Sequence, residues 1–397
     1  MQHYKYLIIG GGLTGDGAVR GIREMDKQGS IAMFSMESDP PYARPSLSKG
    51  LWKGKPLEKI WRKTEERGVD LFLNRKITSV DTNKKTVQDE QGNEYSYDKL
   101  LMATGVTPNR LPYGNDKIIY FRNYQDYKHL KELSERGERF LVIGGGFIGS
   151  ELAAALTSIG KKVDLIFLDD SIGANIYPKD LSHYLNDFYR QKGVDVLSND
   201  SVESLGENGK RIVVHTKTGK TFEVDGVVAG IGVRPNLELA QQAGLKIENG
   251  IVVDEQLRTS APDVYSAGDV ANFIHSSLQK RVRVEHEDNA IQMGIQAGRN
   301  MAGANEPYHH IPAFYSDLFE LGYEAVGELS SKLDTVVEWR EPYKEGIIYY
   351  LDGDKVKGIL LWNIWDAVPA ARSILTDADQ LAKSDLKLQL LLDRMEK

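Results

Sequence analysis

Two stretches of the chain share one pattern of apolar and polar positions. Tyr6-Leu-Ile-Ile is an unbroken apolar run that leads into the glycine-rich GGGLTG and a helix-forming segment; about 130 residues later Phe140-Leu-Val-Ile leads into GGGFIG and ELAAAL. An apolar run without alternation has both faces buried, and such strands alternating with helices predict a parallel sheet covered on both sides. Two nucleotide-type folds are therefore expected. Between them, strands and turns are predicted around Asp89-EQGNEY and Lys99-LLMATGVTPN, and the polar KHLKELSERGERF is a helix leading into the second fold. Further strands are expected at Val194-DVL, Arg211-IVVHT and Thr221-FEV, with a turn at Ile231-GVRPN. From about Pro307 the pattern changes to period-two alternation rich in aromatics, in Ala313-FYSDLFELGYEAVGEL and Gly346-IIYYLDGDKVKGILLWNIW, which predicts an antiparallel sheet and a third domain. Leu381, Leu388 and Leu392 at helical spacing predict a tail docked on its own domain, with a subunit contact in a homodimer as the alternative.

At roughly 150 residues per domain, 397 residues give two or three domains. The expected limits are 1–112 with 240–304 for a discontinuous first nucleotide domain, 113–239 for the second, and 305–397 for the third. A net charge of −7 argues against a nucleic-acid partner, because phosphate-backbone affinity comes from clustered Lys and Arg. No apolar run reaches the roughly 18 residues that a membrane span needs. The first strand begins by about residue 4, which leaves no room for a secretion signal and gives a cytoplasmic expectation. The chain has no cysteine, which excludes disulfides, thiol nucleophiles, ordinary iron–sulfur ligation and Cys-ligated zinc. The eight His are scattered and His309-His310 reads as a loop pair, so no metal site is expected.

The chemistry starts at the two glycine-rich turns. Gly10, Gly12 and Gly15 form GxGxxG directly after a strand, with Leu13 and Thr14 opening the helix. The first glycine allows the tight turn, the second lets backbone approach a pyrophosphate, and the third lets helix pack on strand. The helix N-terminus then offers free N–H groups and a positive dipole end to the phosphates. Glu37, expected to close the next strand Ile31-AMFSME, stands where an acid takes ribose hydroxyls. The second turn repeats this with Gly144, Gly146 and Gly149 around Phe147 and Ile148, and its next strand, Lys162-VDLIFLDD, ends in Asp169 and Asp170. An acid there accepts the 2′-hydroxyl of NADH and repels the 2′-phosphate of NADPH, so NADH is the expected nucleotide. Two cofactor sites in one chain make sense if hydride passes between cofactors, and flavin is the usual acceptor.

Ala103-Thr104-Gly105 after a strand, and Val264-YSAGDVA with Gly268 and Asp269, resemble the two further FAD motifs of the pyridine nucleotide reductases. The resemblance implies an α/β protein with two Rossmann-like nucleotide-binding domains of the glutathione-reductase-like kind, binding FAD and NAD(H), plus a smaller α+β C-terminal domain. It also implies that Asp269 binds the ribitol of the flavin. Relatives place redox cysteines shortly after the first nucleotide unit; this chain has Arg44-Pro-Ser-Leu-Ser-Lys49, so electrons must leave the flavin for something outside the chain. PYARPSLSKGLW, with GGGFIGSELAAAL, Arg283-VEHEDNA, Phe314-YSDL, Gly322-YEAVG and Gly358-ILLWNIW, resembles the flavoproteins related to apoptosis-inducing factor and the ferredoxin or rubredoxin reductases that feed oxygenases. The likeness covers nearly the whole chain.

That resemblance implies roles. Lys49 would sit near flavin N5 and pair with Glu151, a cation where electron density builds up; the plainer readings are a solvated lysine and an acid in a first helical turn that favours the dipole. Phe147 would stack on nicotinamide, Glu285 and His286 would lie beside nicotinamide and flavin, Arg44 would contact the flavin's surroundings, and Gly232 would touch NAD(H). Tyr315 stands where many relatives carry Trp, keeping an aromatic wall at the flavin without an indole N–H. The implied activity is FAD-dependent oxidation of NADH, with electrons passing to a small acidic ferredoxin or rubredoxin, or to a quinone or O₂. The alternative is a redox sensor that binds both cofactors and dimerises on reduction. Lys53, Lys55, Lys59, Arg62 and Lys63 with Trp52 and Trp61 form a basic aromatic segment where an acidic partner could dock, or else a solvated face.

Overall fold

The computed structural model describes all residues except 115, 379–380 and 396–397. The chain divides into two compact units that interleave along the sequence, one of residues 1–44, 56–107 and 234–312, the other of residues 45–55, 108–233 and 313–397.

In the first unit the strand Gln2–Ile9 lies at the centre of a parallel sheet between Ile31–Phe34 and Glu94–Met102, with Asp70–Phe72 and Val264–Ser266 outside them. Ile9 is in register with both Phe34 and Met102, so three strands end flush at the edge where Gly10 begins its turn. Leu7, Ile8, Leu100 and Leu101 are fully buried, as the unbroken apolar runs require. The hairpin Ile77–Asp81 and Thr86–Asp89 extends the sheet in antiparallel fashion. The helix Leu13–Met25 covers one face and packs on the helix Glu287–Met301 with backbone almost touching backbone. A Cβ added at Gly17, Gly21, Gly294 or Gly298 would run into the main chain of the opposite helix. Asp16, fully buried in that first helix, accepts from Thr64 Oγ1 at 2.7 Å and Arg62 Nε at 3.0 Å and pairs with Arg20 at 2.6 Å. Arg62 is thus engaged inside its own unit. Residues 57–60 and 64–67 form short 3-10 turns, as do residues 50–53 of the second unit.

In the second unit a five-stranded parallel sheet runs in the order Val194–Leu197, Lys162–Ile166, Arg139–Ile143, Gly226–Ala229, Ile118–Tyr120. The helix Tyr124–Arg136 precedes it and starts at a reciprocal cap, Asn123 Oδ1 accepting from the Asp126 N–H at 2.9 Å and Asp126 from the Asn123 N–H at 2.8 Å. A meander of Val202–Asn208, Arg211–Thr216 and Thr221–Val224 covers one face. Residues 313–362 form the expected antiparallel sheet, in the order Ala313–Leu318, Leu321–Gly327, Lys355–Trp362, Glu345–Asp352, Asp334–Glu341. Its inner strands do not alternate: Gly346 to Leu351 are buried without interruption. One reason is Tyr177, from the loop after Lys162–Ile166, whose ring meets Tyr323 and Trp362 edge-on; the helix Val368–Thr376 also packs on the sheet. The terminal helix Leu388–Met395 turns Leu391 into the interior, where the spacing pointed to Leu392, and rests on Val368–Thr376 with Arg394 paired to Asp377 at 2.8 Å. Leu381 precedes that helix. Among the described residues no helix is long and apolar enough to cross a membrane.

Burial leaves a group of phenols that resist ionisation. Desolvation pushes Tyr177, Tyr189, Tyr323, Tyr349 and Tyr350 above the ordinary tyrosine value, and the Glu151 carboxylate adds to the effect at Tyr177, Tyr189 and Tyr323. In the first unit burial pushes Tyr97 up to about 12. The unfolded chain loses these protons first, near pH 10, so their contribution to stability is complete below that pH and is lost as pH rises through the folded values. An alkaline titration followed by near-ultraviolet absorbance should therefore ionise fewer than the 19 tyrosines reversibly, the rest appearing only in one step with loss of secondary structure. Smooth titration of all of them without unfolding is the contrary result.

Candidate functional site

The two glycine turns have the same construction, each in its own unit. Gly10 and Gly144 adopt φ of 129° and 114°, a region that side chains rarely enter. A Cβ on Gly15 would overlap the Gly10 carbonyl oxygen, and one on Gly149 would overlap that of Gly144, so helix and strand meet at main-chain distance. Gly11 and Gly145 press on Ser35 and Phe167, the first residues beyond the neighbouring strands. The second glycine of each motif differs. A Cβ on Gly146 would meet nothing within 4 Å, and one on Gly12 would have Arg44 Nη2, at 3.9 Å, as its nearest neighbour. Both helices begin at those positions, Leu13–Met25 and Phe147–Ser158. Open space in front of free N–H groups at a positive helix end fits a pyrophosphate in each turn.

Around the first turn the other expected motifs converge. The Ala103 carbonyl closes on Gly10, which sets Ala103-Thr104-Gly105 against the phosphate turn, and Thr104 Oγ1 donates to the Asn236 carbonyl at 2.9 Å. Gly268, at φ 76°, abuts the Thr14 side chain, so Asp269 follows directly beside the helix start. Leu13 and Thr14 are buried. Arg283 donates to the Asp269 carbonyl at 3.0 Å and pairs with Glu285; His286 is the N-cap of Glu287–Met301. The strand Ile31–Phe34 ends before Glu37, so Glu37 lies in the turn beyond it rather than in the strand. There it accepts from Arg44 Nη2 at 2.7 Å and from the Tyr42 hydroxyl at 2.6 Å. Arg44 is held above its usual range: burial works against its charge, and Tyr42 and Glu37 more than offset it.

The second turn has matching surroundings. Its neighbour strand ends at Ile166, so Asp169 stands three residues past it, the offset at which Glu37 follows Phe34. The Ser171 hydroxyl, 2.8 Å from Asp170, holds that carboxyl below the usual range and engages it locally. Asp169 is exposed. Phe147 meets Phe314 edge-on at 6.1 Å between centroids, Ile148 packs at Gly230, and Gly232 takes φ 84° beside Asn109.

A charged cluster that the sequence reading contained only in part lies in this same unit. Lys49 Nζ is 2.7 Å from Glu151 Oε2; the Glu151 side chain is buried and that of Lys49 mostly covered, 2% and 11% exposed. Glu151 is in the second turn of its helix, not the first, so the macrodipole does not explain it. The Ser48 hydroxyl donates to the same Oε2 at 2.7 Å and the Ser316 hydroxyl to Oε1 at 2.6 Å. Lys49 Nζ also lies 5.1 Å from the centre of the Tyr315 ring. Lys53, by contrast, reaches Asp317 at 2.8 Å from a half-exposed position. Ser48 and Ser316 were not foreseen, because no spacing rule links hydroxyls 103 and 165 residues from their acceptor. Among the described residues no group of His, Asp and Glu could hold a metal ion.

The family model for pyridine nucleotide-disulphide oxidoreductases matches residues 4–294, and the model for the C-terminal part of mitochondrion-associated apoptosis-inducing factor matches 297–342 and 337–377. The chain is 33% identical to apoptosis-inducing factor 1, mitochondrial, of Dictyostelium discoideum, over 94% of this chain and 79% of that protein. It is 31% identical to the ferredoxin reductase subunit of 5,5'-dehydrodivanillate O-demethylase from a Sphingobium species, over 98% and 99%. Among solved structures, a chain of the covalent putidaredoxin reductase–putidaredoxin complex matches with a TM-score of 0.90 at 27% identity, covering 100% of both.

The contrast between glycines of one turn is testable. Gly146→Ala should keep the melting temperature within about 1–2 °C, since a methyl there meets no protein atom, yet weaken binding of a dinucleotide in that turn by roughly tenfold or more. Gly149→Ala should instead destabilise the fold by about 1–3 kcal/mol through overlap with the Gly144 carbonyl. Thermal melts beside nucleotide titrations distinguish the two; equal effects of both substitutions on both readouts would contradict the assignment.

Proposed function

The chain belongs to the pyridine nucleotide-disulphide oxidoreductase family, flavoproteins that use FAD and NAD(H), and from that premise we propose that it oxidises NADH and passes the electrons to an iron–sulfur protein. The observation that carries the reading is the pair of open glycine turns in a chain that has no cysteine but matches a ferredoxin reductase subunit over nearly its whole length. Without a thiol the chain has no disulfide or sulfenic acid with which to store electrons, so they leave for a separate carrier. The likeness to the reductase of the putidaredoxin complex supports a small iron–sulfur protein as that carrier.

In this reading Gly10, Gly12 and Gly15 with Leu13 and Thr14 hold the pyrophosphate of FAD, Glu37 takes a ribose hydroxyl, and Ala103 to Gly105, Gly268 and Asp269 flank the rest of it. Gly144, Gly146, Ile148 and Gly149 hold the pyrophosphate of NADH, Gly232 borders it, and Phe147 offers a ring to the nicotinamide. The bound cofactors supply the redox chemistry, a two-electron donor and a flavin that can deliver electrons singly. The protein supplies position and field: hydride transfer needs close stacking more than it needs an acid or base. Lys49 contributes a fixed positive charge, and Glu151 keeps it in place.

Asp169 underlies the preference for NADH. Exposed beyond the end of its strand, it can accept from a ribose hydroxyl and opposes a 2′-phosphate, while Asp170 is engaged by Ser171. Steady-state assays should give a kcat/KM for NADH at least about a hundredfold above that for NADPH, and Asp169→Ala should narrow the gap roughly tenfold, mostly through KM. Equal use of both nucleotides by the unaltered protein would refute the assignment.

The carrier is identified by rapid mixing. NADH should bleach the flavin absorbance, and added ferredoxin or rubredoxin should restore it quickly at low salt, more slowly as ionic strength screens the encounter. Lys53→Glu with Lys55→Glu should slow that second phase and leave the first unchanged. A long-lived bleached state that none of these carriers restores, accompanied by NADH-dependent dimerisation on a sizing column, would instead favour a redox sensor.

A further inference from the structure

Glu151 is a more elaborate acceptor than a partner for one lysine requires. Its carboxylate receives one donor on Oε1 and two on Oε2, from two separate segments of the second unit: Ser48 and Lys49 of the loop 45–55, and Ser316 of the strand Ala313–Leu318. Ser48, Glu151 and Ser316 are all buried. The contacts are arranged as two adjacent pairs. Of Ser48-Lys49, both residues reach the carboxylate; of Tyr315-Ser316, one reaches the carboxylate and the other puts its ring beside the ammonium.

Lys49 also borders open space. A cavity of about 30 Å³ is lined by Ser48, Lys49, Lys53, Glu151, Asp317 and neighbouring apolar residues, with Asp317 paired to Lys53 at 2.8 Å. That is room for about one water. A glutamate bound on one oxygen alone can turn about its last bond, and a flexible four-carbon lysine then follows it or moves into the cavity. With Oε1 tied to Ser316 and Oε2 to Ser48, the carboxylate plane is fixed before Lys49 arrives.

We propose that Ser48 and Ser316 are positioning residues which lock Glu151 in one orientation, and that this lock holds the Lys49 ammonium at one point and thereby sets the reduction potential of the bound flavin. The second half rests on the proposed function, in which Lys49 acts on the flavin; the first half does not. Neither serine touches a reacting atom, and both act through Glu151.

The experiment uses the flavin-loaded protein and two readouts. The first is the rate at which acetic anhydride acylates Lys49, followed by peptide mass spectrometry. The second is the midpoint potential of the flavin. Ser48→Ala with Ser316→Ala should keep flavin content and melting behaviour sufficient for both measurements, raise acylation of Lys49 roughly tenfold, and lower the reduced-to-oxidised flavin ratio at fixed potential roughly tenfold, about 30 mV for a two-electron couple. In a Lys49→Met, Glu151→Gln background, which removes the buried pair together and so avoids an unpaired charge, the serine substitutions should shift the potential no further. Unchanged acylation in the double serine variant, when Glu151→Gln does expose Lys49, would overturn the lock. An additive shift of potential in the pair-free background would show that the serines act without Lys49 and overturn the inference. If acylation rises while neither the serine variant nor the Lys49→Met, Glu151→Gln protein moves the potential, the lock stands and it is the role of Lys49 at the flavin that fails.

Discussion

A helix can start within contact distance of the strand before it only where no side chain stands between them. That constraint acts twice in this chain, at Gly15 against the Gly10 carbonyl and at Gly149 against the Gly144 carbonyl. Each close approach turns a helix N-terminus toward the space in front of Gly12 or Gly146. The remaining architecture of each unit serves to keep that approach: strands that end flush beside the turn, and a central strand buried over the residues that lead into it. In the first unit the helix is held from its far side as well, by four glycines that bring Glu287–Met301 onto it and by Asp16, which ties down residues 62 and 64. A phosphate site made of main chain needs rigidity more than it needs particular side chains, and the packing supplies that rigidity.

The Lys49–Glu151 pair obeys a different logic. Burying two opposite charges often gives little net stability, because desolvation offsets their attraction, so such a pair is better understood by where it holds a charge than by how tightly it holds a fold. Here the loop that carries Lys49 follows the first nucleotide unit in sequence yet belongs to the second unit in space. That loop thus holds an ammonium whose place is set by the second unit's own helix and sheet. A fixed charge cannot store electrons, but it can bias a group that does.

The glycine turns were legible in the sequence because sterics leave one residue type at each position, and the strands before them because burial on both faces demands unbroken apolar runs. The C-terminal sheet was legible as antiparallel and aromatic. Its alternation was not, since Tyr177 and the helix Val368–Thr376 cover the faces that period-two reasoning would leave to water. The strands end at Phe34 and Ile166, short of Glu37 and Asp169, although main-chain hydrogen bonds from Asn74 to the Glu37 carbonyl and from Asn199 to the Asp169 carbonyl still join these residues to the neighbouring segments. Arg62 was read as a surface cation because its partner, Asp16, lies 46 residues away. Ser48 and Ser316 carry no pattern at all: a hydroxyl becomes informative only when folding sets it beside its acceptor. The glycine contacts between the two helices leave a trace in the spacing, Gly17 with Gly21 and Gly294 with Gly298, four residues apart on each helix.

The pairing of Leu13–Met25 with Glu287–Met301 joins the beginning of the chain to a helix made nearly three hundred residues later. A nascent polypeptide that ends before Glu287 already holds the whole GxGxxG turn but lacks the surface that clamps it. On the ribosome, the first nucleotide fold therefore waits for most of the second to be translated, and its glycine-lined helix face stays uncovered during that interval. Moving the chain ends by circular permutation would alter the order in which the two helices are made, even if the finished architecture were the same.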